Sequence, residues 1–159
     1  MTGRAWVIIA GAVAVGLAGC GGGSSGGGSI SSQPLAGTIN GAPWTFVAGQ
    51  TDFFLSSNGD HFFATLYDVP ITTACSVSDP PGAKNFLILE IPKMTGNYAQ
   101  GGTFVYPDPS TGRPYNDISL GGAVEVTAIS ATEIMGGVKI ALDAKNSVDG
   151  QFTINVCQQ

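Results

Sequence analysis

From residue 35 onward, hydrophobic residues recur at every second position in short runs separated by polar, glycine and proline clusters. In Ala123–Ile129, Val124, Val126 and Ala128 share one parity while Glu125 and Thr127 take the other. In Val138–Leu142, Val138, Ile140 and Leu142 oppose Lys139. In Gln151–Val156, Phe152, Ile154 and Val156 alternate with Gln151, Thr153 and Asn155. A period of two belongs to a strand with one side on a core and the other in water. These three runs predict an antiparallel meander with one wet face. By the same parity Cys157 faces solvent, so a bridge there would lie at the edge or end of the sheet.

His61–Tyr67 fits a further strand, preceded by Ser57-Asn58-Gly59-Asp60, whose Asn-Gly pair signals a hairpin turn. Phe86–Ile91 is apolar on both parities, which predicts a central strand covered on both sides. Asp79-Pro80-Pro81-Gly82 and Pro107-Asp108-Pro109-Ser110 mark loops, because proline cannot donate to a ladder and aspartate favours turns. The pairs Gly101-Gly102, Gly121-Gly122 and Gly136-Gly137 predict turns or bulges at strand borders. Nowhere in residues 35–159 does a period of 3.6 persist for three turns. The expectation is one all-β domain over 35–159, an antiparallel β-sandwich or closed β-barrel of about seven to nine strands.

The N-terminus differs. Arg4 precedes an uncharged run, Ala5–Leu17, of about thirteen residues, short of the roughly 20 that span a bilayer as a helix. A short apolar core ending in small residues predicts a cleaved signal peptide over 1–19. Leu17-Ala18-Gly19-Cys20 resembles the lipobox of bacterial lipoproteins. That resemblance implies lipid attachment at Cys20, acylated with chains such as palmitate, and a membrane as partner. Gly21 in place of aspartate implies the outer membrane, on its periplasmic face or at the cell surface. Residues 20–34 then form a lipidated tether. Its Gly/Ser composition cannot offset ordering entropy, and as a coil it reaches roughly 20 Å.

Composition narrows the partners. The net charge is −5, and removal of Arg4 leaves five basic against eleven acidic residues, or −6. An acidic domain argues against nucleic acid. With Cys20 lipidated, Cys75 and Cys157 remain, and two thiols in an exported chain predict one disulfide. Its loop of roughly 80 residues corresponds to about 4.5 kcal/mol in the chain-entropy model. Two cysteines and the lone His61 cannot supply four well-spaced ligands, so no metal site is predicted.

Gly37-Thr38-Ile39-Asn40-Gly41-Ala42-Pro43-Trp44, Ile91-Pro92, Gly96-Asn97-Tyr98 and Asp149-Gly150-Gln151-Phe152 together resemble small bacterial lipoproteins of unknown function that open with Asn-Gly-x-x-Trp. The resemblance implies an all-β lipoprotein and no chemistry. A lipocalin Gly-x-Trp start is approached by Gly41 to Trp44, but the spacing is one residue too long and Pro43 interrupts it. Trp44 is therefore expected to be a core residue.

No cofactor or catalytic motif emerges. Within residues 35–159, Gly-x-Ser-x-Gly, Ser-x-x-Lys and His-Glu-x-x-His do not occur. His61 beside Asp60 and two phenylalanines suits a strand surface, and Glu90, Glu125 and Glu133 are scattered acids. Asp108, Ser110 and Gly112 have calcium-like spacing without the further acids of a twelve-residue loop. The segment Val105–Leu120 predicts a long loop, in which Tyr106, Arg113 and Tyr115 are residue types enriched at binding hot spots. The expected function is a lipid-anchored, non-enzymatic β-domain that binds or supports an envelope protein or surface partner. The alternative is a carrier of a small apolar ligand within rings such as Trp44, Phe53, Phe54, Phe62 and Phe63. An envelope hydrolase using His61 and Glu90 ranks third.

Overall fold

The computed structural model describes residues 28–57 and 59–158. The predicted signal peptide, Cys20 and the start of the tether lie outside the described residues, as does Asn58. Eleven strands and one short helix occupy the described part. They are β1 (Ala36–Ile39), β2 (Ala42–Thr45), β3 (Ala48–Thr51), α1 (Phe53–Ser56), β4 (His61–Tyr67) and β5 (Phe86–Pro92). There follow β6 (Gly96–Ala99), β7 (Gly102–Pro107), β8 (Pro114–Ser119), β9 (Gly122–Ile129), β10 (Glu133–Ala141) and β11 (Ser147–Asn155). The all-β expectation holds.

The strands form one sheet in the order β6-β9-β10-β11-β3-β4-β5-β7-β8, with β1 joined to β11 and β2 to β1. Pairing is antiparallel except where β11 meets β3 in parallel, at Asn155 and Gln50, a step that an all-antiparallel expectation omits. One edge of β11 thus holds β1 along its first residues and β3 at its last. The sheet curls into a half-barrel, so that β5 and β9, distant along this order, touch across the interior.

That interior is filled by side chains. Leu35, Ile39, Leu66, Leu87, Phe104, Val124, Ile134, Ile140 and Ile154 are buried in a single cluster. Trp44, 2% exposed, plugs one end and donates its indole N–H to the Asn85 carbonyl at 2.9 Å. Burying that N–H with a partner avoids the cost of an orphaned donor. At the same end the Tyr106 hydroxyl donates to Asp117 Oδ2 at 3.0 Å, and buried Asn146 donates to the same oxygen at 3.3 Å. The Asn40 N–H in turn donates to Asn146 Oδ1 at 2.8 Å. This network ties β7 and β8 to the β1–β2 and β10–β11 turns.

The meander predicted from the last third is present as β9–β10–β11. Ala128 departs from its parity and is exposed, because the β9–β10 register shifts between Met135 and Gly136. A Cβ at Gly136 would strike the Glu125 carbonyl, so the bulge requires glycine there. Gly136-Gly137 therefore sits inside a strand and not at a border.

Other expectations change. β5 buries Leu87, Leu89 and Ile91 inward, while Phe86 and Ile88 are half-buried and Glu90 is exposed, so it is covered fully on one side only. Val105–Leu120 is not a loop: its residues pair as β7 and β8, with Tyr106 opposite Tyr115. β8 pairs on one side only, which tolerates Pro114 and its polar residues. The tight Asn-Gly hairpin turn is Asn40-Gly41, with φ of 54° and 74°, joining β1 to β2. The connection containing Gly59 is longer and carries α1, whose first turn is capped by Asp52 Oδ1 accepting from the Leu55 N–H at 2.7 Å.

Candidate functional site

The outer face of the sheet carries the feature that alternation does not announce. On β3, Gly49 turns inward toward Ile154, so Gln50 turns outward. On β4, Ala64 and Leu66 lie in the core, which places Thr65 and Tyr67 outside. Yet Gln50 is only 7% exposed and Tyr67 is buried. Their cover is the irregular segment 68–85 between β4 and β5.

Four ties hold this segment down. Gln50 Nε2 donates to the Ser76 carbonyl at 2.9 Å, and the Cys75 N–H donates to Gln50 Oε1 at 2.8 Å. One buried side-chain amide thus satisfies two backbone groups of the segment as a strand neighbour would. The Tyr67 hydroxyl donates to Asp79 Oδ1 at 2.9 Å. Burial, and then the Asp79 carboxylate, push the Tyr67 pKa far above the usual tyrosine value. The fourth tie is the disulfide Cys75–Cys157, with Cα atoms 5.3 Å apart and a sequence separation of 82.

The disulfide staples the segment to the chain just beyond β11. Cys157 is buried and its N–H donates to Thr51 Oγ1 at 2.8 Å. Its solvent-facing parity therefore does not apply, because the strand ends at Asn155. The bridge does lie at the end of the sheet. Cys75 is exposed and has φ of 59°, a left-handed conformation that costs a residue with a Cβ roughly 1–2 kcal/mol. Gln50 and the bridge hold it there.

Cavities flank the bridge. One, of about 230 Å³, lies between Gln50 and the segment and is lined by Thr72, Thr73, Ser76, Ser78 and Asp79. Another, of about 320 Å³, is lined by Phe53, Phe62, Val156 and Cys157. Farther along the outer face, Phe63, Ile88, Glu90, Ile118 and Leu120 border a groove of about 250 Å³, with Leu120 93% exposed.

The residues singled out in the sequence are dispersed. Tyr106 is buried and bound to Asp117, which removes it from any contact surface; burial and then Asp117 raise its pKa. Tyr115 is 47% exposed and stacks at a tilt on Tyr106, with centroids 5.5 Å apart. Arg113 is exposed at the hairpin tip. The five rings considered for an apolar pocket do not share one. Trp44 is in the core, Phe53 and Phe62 line the cavity beside Cys157, Phe63 lines the outer groove, and Phe54 is 65% exposed.

His61 Nδ1 lies 2.7 Å from Asp60 Oδ1, and this bond holds the Asp60 carboxyl below its ordinary range. Among the described residues no hydrogen bond joins His61 to Glu90. Asp108 Oδ1 accepts from the Ser110 N–H at 2.7 Å and the Thr111 N–H at 2.9 Å, so this carboxylate caps its turn. The Ser110 hydroxyl is the main cause of its lowered pKa. No group of three or more His, Cys, Asp or Glu gathers as a metal site among the described residues. Among them, too, no helix is long and apolar enough to cross a membrane. Cys20 lies outside the described residues.

Gln50, Tyr67 and Asp79 escape sequence reasoning. The only signal near them is the run of prolines and Cys75 itself. Comparison with protein families, curated proteins and solved structures finds no match.

Proposed function

We propose that this chain is an envelope lipoprotein, anchored through Cys20, whose half-barrel is a non-catalytic binding module presenting the clasped segment 68–85. Leu17-Ala18-Gly19-Cys20 and the Gly/Ser tract after it support the anchor. The observation that carries the binding role is the clasp. Irregular segments longer than roughly 12–15 residues are uncommon unless functional or disordered. This one is tied down by a disulfide and three side-chain hydrogen bonds. A loop positioned by a rigid scaffold is where proteins place recognition. The exposed Arg113 and Tyr115 offer a second contact surface toward an envelope protein.

Metabolic labelling with an alkyne palmitate, followed by membrane fractionation, tests the anchor. The intact chain takes up label and sediments with the outer membrane, whereas Cys20→Ala does neither. Label persisting in Cys20→Ala, or absent from the unaltered chain, refutes it. Photo-crosslinkers at Ser78 and Tyr115 in the anchored form then compare the two surfaces. Crosslinks from Ser78 alone support the clasp as the contact, and crosslinks from Tyr115 alone move the contact to the β7–β8 hairpin.

A further inference from the structure

We infer that the cavity beneath the clasped segment binds a small neutral sugar ring. This rests on the reading of the domain as a binding module and names its ligand class. The cavity, about 230 Å³, falls below the roughly 300–1,000 Å³ of sites for drug-sized ligands, which fits a single ring.

The lining excludes other classes. It contains no Lys, Arg or His, so nothing neutralises an anion. Its one carboxylate, Asp79, already accepts from Tyr67, and no second acid lines the cavity to hold a cation. Polar and apolar surface share the lining about equally, and a wholly apolar guest would strand the hydroxyls of Thr72, Thr73, Ser76 and Ser78. Among the described residues the hydroxyls of Thr72, Thr73 and Ser78 have no protein partner. Each can donate one hydrogen bond and accept others, matching the mixed donor and acceptor character of sugar hydroxyls. Ile71, Pro80 and Pro81 complete the wall with apolar surface, which suits the C–H face of a pyranose. The clasp keeps this wall in place before a ligand arrives, which lowers the ordering cost of binding.

Backbone amide shifts of the intact isotope-labelled chain in detergent micelles, titrated with glucose, galactose and mannose, test the site. At least one hexose shifts Thr72, Thr73, Ser76 and Ser78 saturably, and leaves β9 and β10 unmoved. Inorganic phosphate does not. Thr73→Val and Ser78→Ala, both exposed, each weaken binding about fivefold, the loss of one hydrogen bond. Reduction with dithiothreitol, which opens the Cys75–Cys157 bond to two thiols, weakens it further. Failure of all three hexoses to shift these amides, an equal response to phosphate, or unchanged affinity in both variants overturns the proposal. The sugar's own spectrum is followed in the same tube: its conversion would instead overturn the non-catalytic reading.

Discussion

The concave and convex sides of this sheet are held by different means. Inside, many alternating apolar residues from β4, β5 and β9–β11 share the work, and each is one of many. Outside, segment 68–85 depends on one disulfide, one glutamine and one tyrosine–aspartate pair, apart from its last residue, Asn85, whose carbonyl the core Trp44 holds. The first arrangement resists any single loss except at its largest residue. The second concentrates its hold in three places, so single changes should free the segment while the sheet stays folded.

The largest effect is expected at Trp44. Trp44→Ala should cost about 3–5 kcal/mol, since it empties a buried site and leaves the Asn85 carbonyl unpaired. Chemical denaturation should show the loss as a lower midpoint. Removing both bridge cysteines by Cys75→Ser with Cys157→Ser should cost about 2–4 kcal/mol. That loss should come with rapid proteolysis confined to 68–85. Equal proteolysis throughout would erase the distinction between the two sides.

Gln50→Ala is expected to cost about 1–3 kcal/mol, because it leaves the Cys75 N–H and Ser76 carbonyl without partners under the segment. Tyr67→Phe should cost about 1 kcal/mol at neutral pH. Its pH dependence is the sharper readout. The folded-state pKa of Tyr67 is raised, so the folded chain keeps a proton that the unfolded chain loses above about pH 10. Stability from this group is therefore full below that pH and declines above it. Tyr67→Phe should flatten the alkaline decline seen in thermal melts, leaving the share due to Tyr106. Smallest of all, Arg113→Ala and Tyr115→Ala should each change stability by under about 1 kcal/mol, both being exposed.

Legibility in the sequence follows the same division. β9, β10 and β11 could be placed because one side of each faces the core, which imposes the period of two. β1, β2 and β3 are four residues each and too short for a period to show. β8 looks like a loop because an edge strand has few ladder partners and accepts proline and aspartate. The cysteine pairing could be inferred by counting, but the parity of Cys157 could not, since parity has no meaning past the strand's end. Pro80 and Pro81 announce an irregular segment. That it folds back on the sheet depends on Gln50, some 25 residues from Cys75, and no local pattern encodes a partner at that distance. The proposed anchor rests on Leu17–Cys20, a signal that is chemical and local and owes nothing to the fold.

Hydrogen exchange of the intact chain before and after reduction tests the central distinction most directly. The account predicts that amides in 68–85 and around Cys157 lose protection on reduction while β9, β10 and the core of β4 and β5 keep theirs. Loss of protection across the whole sheet, or no change in 68–85, would contradict it.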